Sequence, residues 1–104
     1  MKTISEVAQG VLEVMPGARF WVKGSYSGGL GDERHCVEGA RRLVVLPADG
    51  RQFAEAFQRV ASEQFPGRHI KLRKDPVSYV VGFNDHPDTR YADVRLILEK
   101  LAAG

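Results

Sequence analysis

Apolar residues recur at helical spacing along five stretches of this chain, and proline or glycine stands between them. The first opens on Thr3-Ile4-Ser5-Glu6, where Thr3 can cap a helix and Glu6 can reach back to the cap. Ile4, Val7, Ala8, Val11, Leu12 and Met15 follow on one stripe, and Pro16-Gly17 ends it. A second helix is predicted from Asp32 as N-cap through Leu46, with Cys36, Ala40, Leu43 and Val44 inward and Pro47 closing it. Asp49 and Gln52 form a weaker capping box for a third, whose stripe is Phe53, Phe57, Val60, Ala61 and Phe65, ending at Pro66-Gly67. Asp75-Pro76 starts a fourth over residues 76–85, a helix despite Val77, Val80 and Val81. Pro87 drives His86 out of the α region and stops it. Thr89, or Asp88, is placed to cap a fifth helix with Ala92, Leu96, Ile97 and Leu101 inside.

The connecting segments carry other signals. Phe20, Trp21 and Val22 are strand-prone and sit between Pro16-Gly17 and Gly24, so an extended piece should bring Trp21 onto the core. Ser25 to Gly31 is a glycine-rich loop without the Lys-Ser/Thr of a phosphate-binding loop. Arg68 to Lys74 alternates, with Ile70 and Leu72 inward, and could pair with Phe20–Val22 as a two-stranded ribbon. The expected fold is mainly α: one domain over residues 1–104, five helices and short extended segments. A small α+β form with a true ribbon is the alternative.

Composition narrows the function classes. With 43% hydrophobic and 27% charged residues, 104 residues make an ordinary globular domain able to bury one core. A net charge of +2 permits a local basic surface without announcing a nucleic-acid binder. The single cysteine excludes an internal disulfide and fits a reducing compartment. No window reaches the length of a membrane span, and the first residues lack a signal-peptide core, so the expected location is the cytoplasm.

Candidate chemistry is sparse. His35, His69 and His86 match no compact metal motif, and neither a metal nor a cofactor is expected. Cys36 and His35 are adjacent, yet a cysteine on an apolar stripe reads first as a small buried hydrophobe. Asn84 and Asp85 end the fourth helix. Their leading reading is structural, with Asp85 accepting backbone N–H groups of the fifth helix, and ligand binding is the alternative. Tyr26 in the glycine loop and Tyr91 at the corner suit a protein interface.

Three motifs carry a resemblance: Trp21-Val22-Lys23-Gly24, Cys36-Val37-Glu38-Gly39-Ala40, and the run Asn84-Asp85-His86-Pro87-Asp88-Thr89-Arg90-Tyr91-Ala92-Asp93-Val94. They resemble the Trp-x-x-Gly, Cys-x-x-Gly-Ala and Asn-Asp-x-Pro-x-Thr-x-x-Asp-Val signatures of an uncharacterised family of small proteins from actinobacteria and their phages, the domain of unknown function numbered 6197. Asp88, Arg90 and Tyr91 stand where that family usually has Gly, Thr and His. The resemblance implies a phage-related source and brings no established activity.

The leading expectation is a non-enzymatic protein that binds another protein, a bacterial host factor on that resemblance, through Tyr26, Asn84, Asp85, Arg90 and Tyr91. The runner-up is a nucleic-acid-binding accessory protein using Arg68, Lys71, Arg73 and Lys74, with Arg41 and Arg42 as further phosphate contacts. A small hydrolase-like site at Asn84, Asp85 and Cys36 comes third.

Overall fold

The computed structural model describes residues 2–24, 34–45, 50–68 and 75–104. It contains five α-helices: α1 (Ile4–Val14), α2 (Val37–Val44), α3 (Gly50–Gln64), α4 (Pro76–Asp85) and α5 (Tyr91–Ala102), with a 3₁₀ turn at Ala18–Phe20. No strand occurs among the described residues. Trp21 and His35 instead form one isolated parallel bridge, in which His35 N–H donates to Phe20 O at 2.7 Å and Val22 N–H to His35 O at 3.1 Å. The ribbon partner considered for Phe20–Val22, residues 70–72, lies outside the described residues.

Local signals fix the ends of α1 and α4. Thr3 Oγ1 accepts the Glu6 N–H at 3.1 Å, and the Glu6 carboxylate accepts the Thr3 N–H at 3.0 Å, closing the box the sequence announces. Asp75 caps α4 through the Ser78 N–H at 2.9 Å, and Pro76 takes the first helical position. His86 is extended (φ −60°, ψ 136°) ahead of Pro87, which ends the helix there.

α1 lies against α5, α2 and α3; α3 also meets α4 and α5, and α2 rests on α4. Phe53, Phe57 and Ala61 of α3 are buried, while Val60 and Phe65 are partly so. Phe83 receives Phe57 edge-on at 5.6 Å between ring centroids and Phe65 at 5.8 Å, joining α3 to α4. Gly10 permits the approach of α2 to α1. A Cβ there would lie 2.7 Å from a methyl of Val44, so the glycine is tolerated inside a helix for its lack of a side chain.

Two helices differ from expectation. α2 starts at Val37, with Cys36 as N-cap, because the backbone of residue 35 is committed to the bridge with Trp21. Its inward positions go to Val37, Ala40 and an ion pair, Glu38–Arg41, leaving Leu43 64% exposed. Glu38 and Arg41 are each almost fully buried, and their bidentate contact (2.6 and 2.9 Å) satisfies charges that would be costly alone. α5 buries Val94, Ile97, Leu98 and Leu101, so Ala92 and Leu96 face outward, with Leu96 40% exposed. Thr89 is not its cap. The helix begins one residue later, after Arg90, whose N–H is taken by the Asp93 carboxylate at 3.1 Å. Thr89 is buried, and its hydroxyl has no hydrogen-bond partner among the described residues.

Candidate functional site

The corner between α4 and α5 is assembled around one side-chain amide. Asn84 sits in the last turn of α4, fully buried. Its Oδ1 accepts the Trp21 indole N–H at 2.6 Å and the Val37 N–H at 3.1 Å. Its Nδ2 donates to Val22 O at 3.0 Å and to the Asp85 carboxylate at 3.0 Å. An amide offers two donors and two acceptor lone pairs, so Asn84 is saturated. Val37 is the first residue of α2, and its N–H is one of the donors a helix start leaves unpaired. Asn84 thus caps a helix 47 residues away in sequence. Cys36 adds a weaker cap, its Sγ accepting the Gly39 N–H at 3.2 Å.

Asp85 extends the network, because the oxygen that accepts from Asn84 has a second donor. Its Oδ1 accepts the Gly24 N–H at 2.9 Å, rather than N–H groups of α5. Gly24 has φ +82°, a left-handed conformation that a residue with a Cβ enters only with strain. Lys23 closes the contact by donating from Nζ to His86 O at 2.7 Å, with its ammonium 5.5 Å from the centre of the Trp21 ring. His86 Nδ1 accepts the Asp88 N–H at 3.1 Å, which tightens the proline turn.

On the far side of the turn, Tyr91 is half-buried. Its hydroxyl donates to Met15 O, and its ring lies 6.4 Å from that of Trp21. Burial raises the Tyr91 hydroxyl above the usual tyrosine range, against an opposing pull from Arg95. Arg90 is exposed. Arg68, counted with the basic segment, donates to the Asp93 carboxylate at 2.7 Å and to Asp88 O at 3.1 Å, and it stacks over Phe65. Its charge therefore serves to hold the end of α3 against the start of α5. Tyr26, Lys71, Arg73 and Lys74 lie outside the described residues.

The three motifs that carry the sequence resemblance thus meet in space, Trp21 and Gly24 from one, the start of α2 from the second, and Asn84-Asp85 from the third. Four partnerships were not visible from the sequence: Trp21 with Asn84, Val37 with Asn84, Gly24 with Asp85, and Arg68 with Asp93. All but Arg68 of the residues in these pairs lie in the three motifs, which marked the residues without showing which pairs with which. For the thiol, burial raises Cys36 above the ordinary cysteine value, opposed by N–H bonds from Gly39 and Glu38 and reinforced by the Asp85 carboxylate. That is the reverse of what a nucleophilic thiol needs. Among the described residues no group of three His, Cys, Asp or Glu side chains could hold a metal, and no helix is long and apolar enough to cross a membrane.

These features define a mainly α domain, with five helices among the described residues, whose polar corner is an internal hydrogen-bond hub. The chain belongs to the family of unknown function DUF6197, whose model matches residues 1–104, the whole of it. No curated protein and no solved structure matches it.

Proposed function

We propose that the protein is a non-enzymatic binding protein whose partner is another protein, engaged through the α4–α5 corner and through Tyr26, in the segment of residues 25–33. The observation that carries this reading is how the residues flanking that segment are held. Gly24, before it, is bonded to Asp85, and His35, after it, is bridged to Phe20 and Val22. Tyr26 follows the Asp85-bound Gly24 by two positions in the sequence. Arg90 is exposed on the same corner, and arginine and tyrosine are the residue types in which interface energy concentrates. Asn84 supports this face from beneath and does not reach its surface. The family resemblance, which extends to phages, favours a bacterial host protein as the partner, met in the cytoplasm, where the single thiol of the chain stays reduced.

The test is affinity capture from the native host with immobilised protein, followed by direct binding of the recovered partner to Tyr26→Ala and Arg90→Glu variants. Both should keep the parent's unfolding midpoint and lose at least about ten-fold in affinity. If both bind as the parent does, while Lys71→Glu and Arg73→Glu abolish binding and affinity falls steeply with salt, the nucleic-acid reading replaces this one.

A further inference from the structure

The opposite end of α5 carries a second feature, a cleft between the start of α1, the middle of α3 and the end of α5, with a volume of about 320 Å³. Its base is apolar. Ala56 and Leu101 are buried, and Ile4 and Val60 are partly buried against the core. Two cations, Arg59 and Lys100, stand at its rim. Neither makes an ion pair or hydrogen bond among the described residues, whereas the neighbouring carboxylates of Glu55 and Glu99 are held by Arg51 and Arg95. Ser5 ties α1 to α5 at this end by donating to Ala102 O, so the walls are fixed to one another. Ten residues of α5 separate Tyr91 from Leu101, about 15 Å along the axis, which sets the cleft apart from the corner.

We propose that this cleft is a second docking site, one that takes an acidic segment of a partner protein by inserting an apolar side chain between Arg59 and Lys100. Charge complementarity decides the class. An apolar base with two cations and no acidic side chain in its lining, the Gly104 carboxylate being the one anion there, leaves a net positive rim that attracts carboxylates flanking a hydrophobic residue and disfavours basic segments. The volume lies at the low end of the roughly 300–1,000 Å³ of ligand sites, which suits one side chain rather than a large cofactor.

The probe is an acetylated, amidated peptide Glu-Glu-Leu-Glu-Glu titrated into the ¹⁵N-labelled full chain, followed by amide chemical shifts. Saturable shifts are expected at Ser5, Val60 and Leu101, with none at Arg90 or Tyr91. Arg59→Glu and Lys100→Glu are surface changes that keep the spectrum of the folded protein; each should weaken the peptide about five-fold. Replacing the central Leu by Ser should weaken it about ten-fold. The assignment is overturned if no shift saturates, if the shifts map elsewhere, or if either charge reversal leaves affinity unchanged. It is equally overturned if Lys-Lys-Leu-Lys-Lys binds as well, or if hexanoate saturates the same resonances as tightly, which would make the cleft a small-carboxylate site. Tyr26→Ala and Arg90→Glu should bind this peptide like the parent, so failure here is separable from failure at the corner.

Discussion

Replacing Asn84 by Ala removes four hydrogen bonds at once and leaves the Trp21 indole, the Val37 N–H, the Val22 carbonyl and one Asp85 oxygen without the partner each had. Each bond contributes a net stabilisation of about 1 kcal/mol. Trp21 and Val22 are only partly buried, so water can replace some of what they lose, and the total falls to about 3 kcal/mol. Against a domain stability of roughly 5–15 kcal/mol this is a large share. With a urea dependence near 2 kcal/mol per molar, the midpoint should drop by about 1.5 M. The assay is urea denaturation followed in parallel by circular dichroism and by emission of Trp21, which is the only tryptophan and touches Asn84 directly. Asn84→Asp sharpens the test. An aspartate still accepts from Trp21 and Val37, but it cannot donate to Val22, and it sets a second carboxylate beside Asp85. Asn84→Asp should be worse than Asn84→Ala at neutral pH and recover as the medium is acidified and the pair shares a proton. A midpoint for Asn84→Ala within about 0.3 M of the parent, with unchanged Trp21 emission, would refute the hub.

Thr89→Val should stabilise the protein by up to about 1 kcal/mol, since it trades a buried, unpartnered hydroxyl for a methyl of the same shape; a loss of stability would mean the hydroxyl has a partner after all. Asp93→Ala should cost about 1–2 kcal/mol through the Arg90 N–H and the partly exposed Arg68 pair, and an unchanged denaturation midpoint would deny Asp93 the capping role. Cys36 should react with a thiol reagent at least about ten-fold more slowly in the native protein than in urea, because burial both covers it and raises its pKa; rapid native labelling would contradict both. Bonding to Thr3 lowers the Glu6 carboxyl below its ordinary value of 4.5, so its charge stabilises the fold above that pH and loses its effect as pH falls through the folded value. The midpoint gap between the parent and Glu6→Gln should therefore close on acidification below about pH 4.5, and a gap that persists or widens there would count against the capping box.

What the sequence revealed and what it hid divide along a physical line. Thr3 with Glu6, Asp75 with Pro76, and Pro87 act within one helical turn, and each reads correctly because its partner lies three residues away or less. The start of α2 does not, since residue 35 is held by a bridge to Trp21, 14 positions earlier, and no periodicity records that. The rotation of α5 is set the same way. Tyr91 reaches back to Met15 and Asp93 to Arg68, and these distant partners turn Val94 and Leu98 inward in place of Ala92 and Leu96. Leu43 was assigned to the core on hydrophobicity alone, yet the buried Glu38–Arg41 pair occupies the inward face of that helix. The polar corner was legible as a corner. Its contents were not, because an amide's hydrogen bonds cannot be assigned until the segments it joins are known.

The hub also changes how a loss of binding at this corner should be interpreted. Asn84, Trp21, Gly24 and Val37 exchange their hydrogen-bonding capacity with one another and with Asp85, so little of it is left for a partner. A substitution among them acts first on the position of Gly24 and the start of α2. Arg90 is different: its backbone N–H caps α5 through Asp93, while its side chain is exposed and caps nothing. A charge change there alters the surface of the corner without loosening its frame, which is why Arg90→Glu is the variant that tests the proposed interface. The polar residues by which the chain resembles its family are thus mostly the frame, and of the three positions at the corner that depart from the family pattern, Asp88 and Arg90 are exposed while Tyr91 is half-buried against Trp21 and Met15.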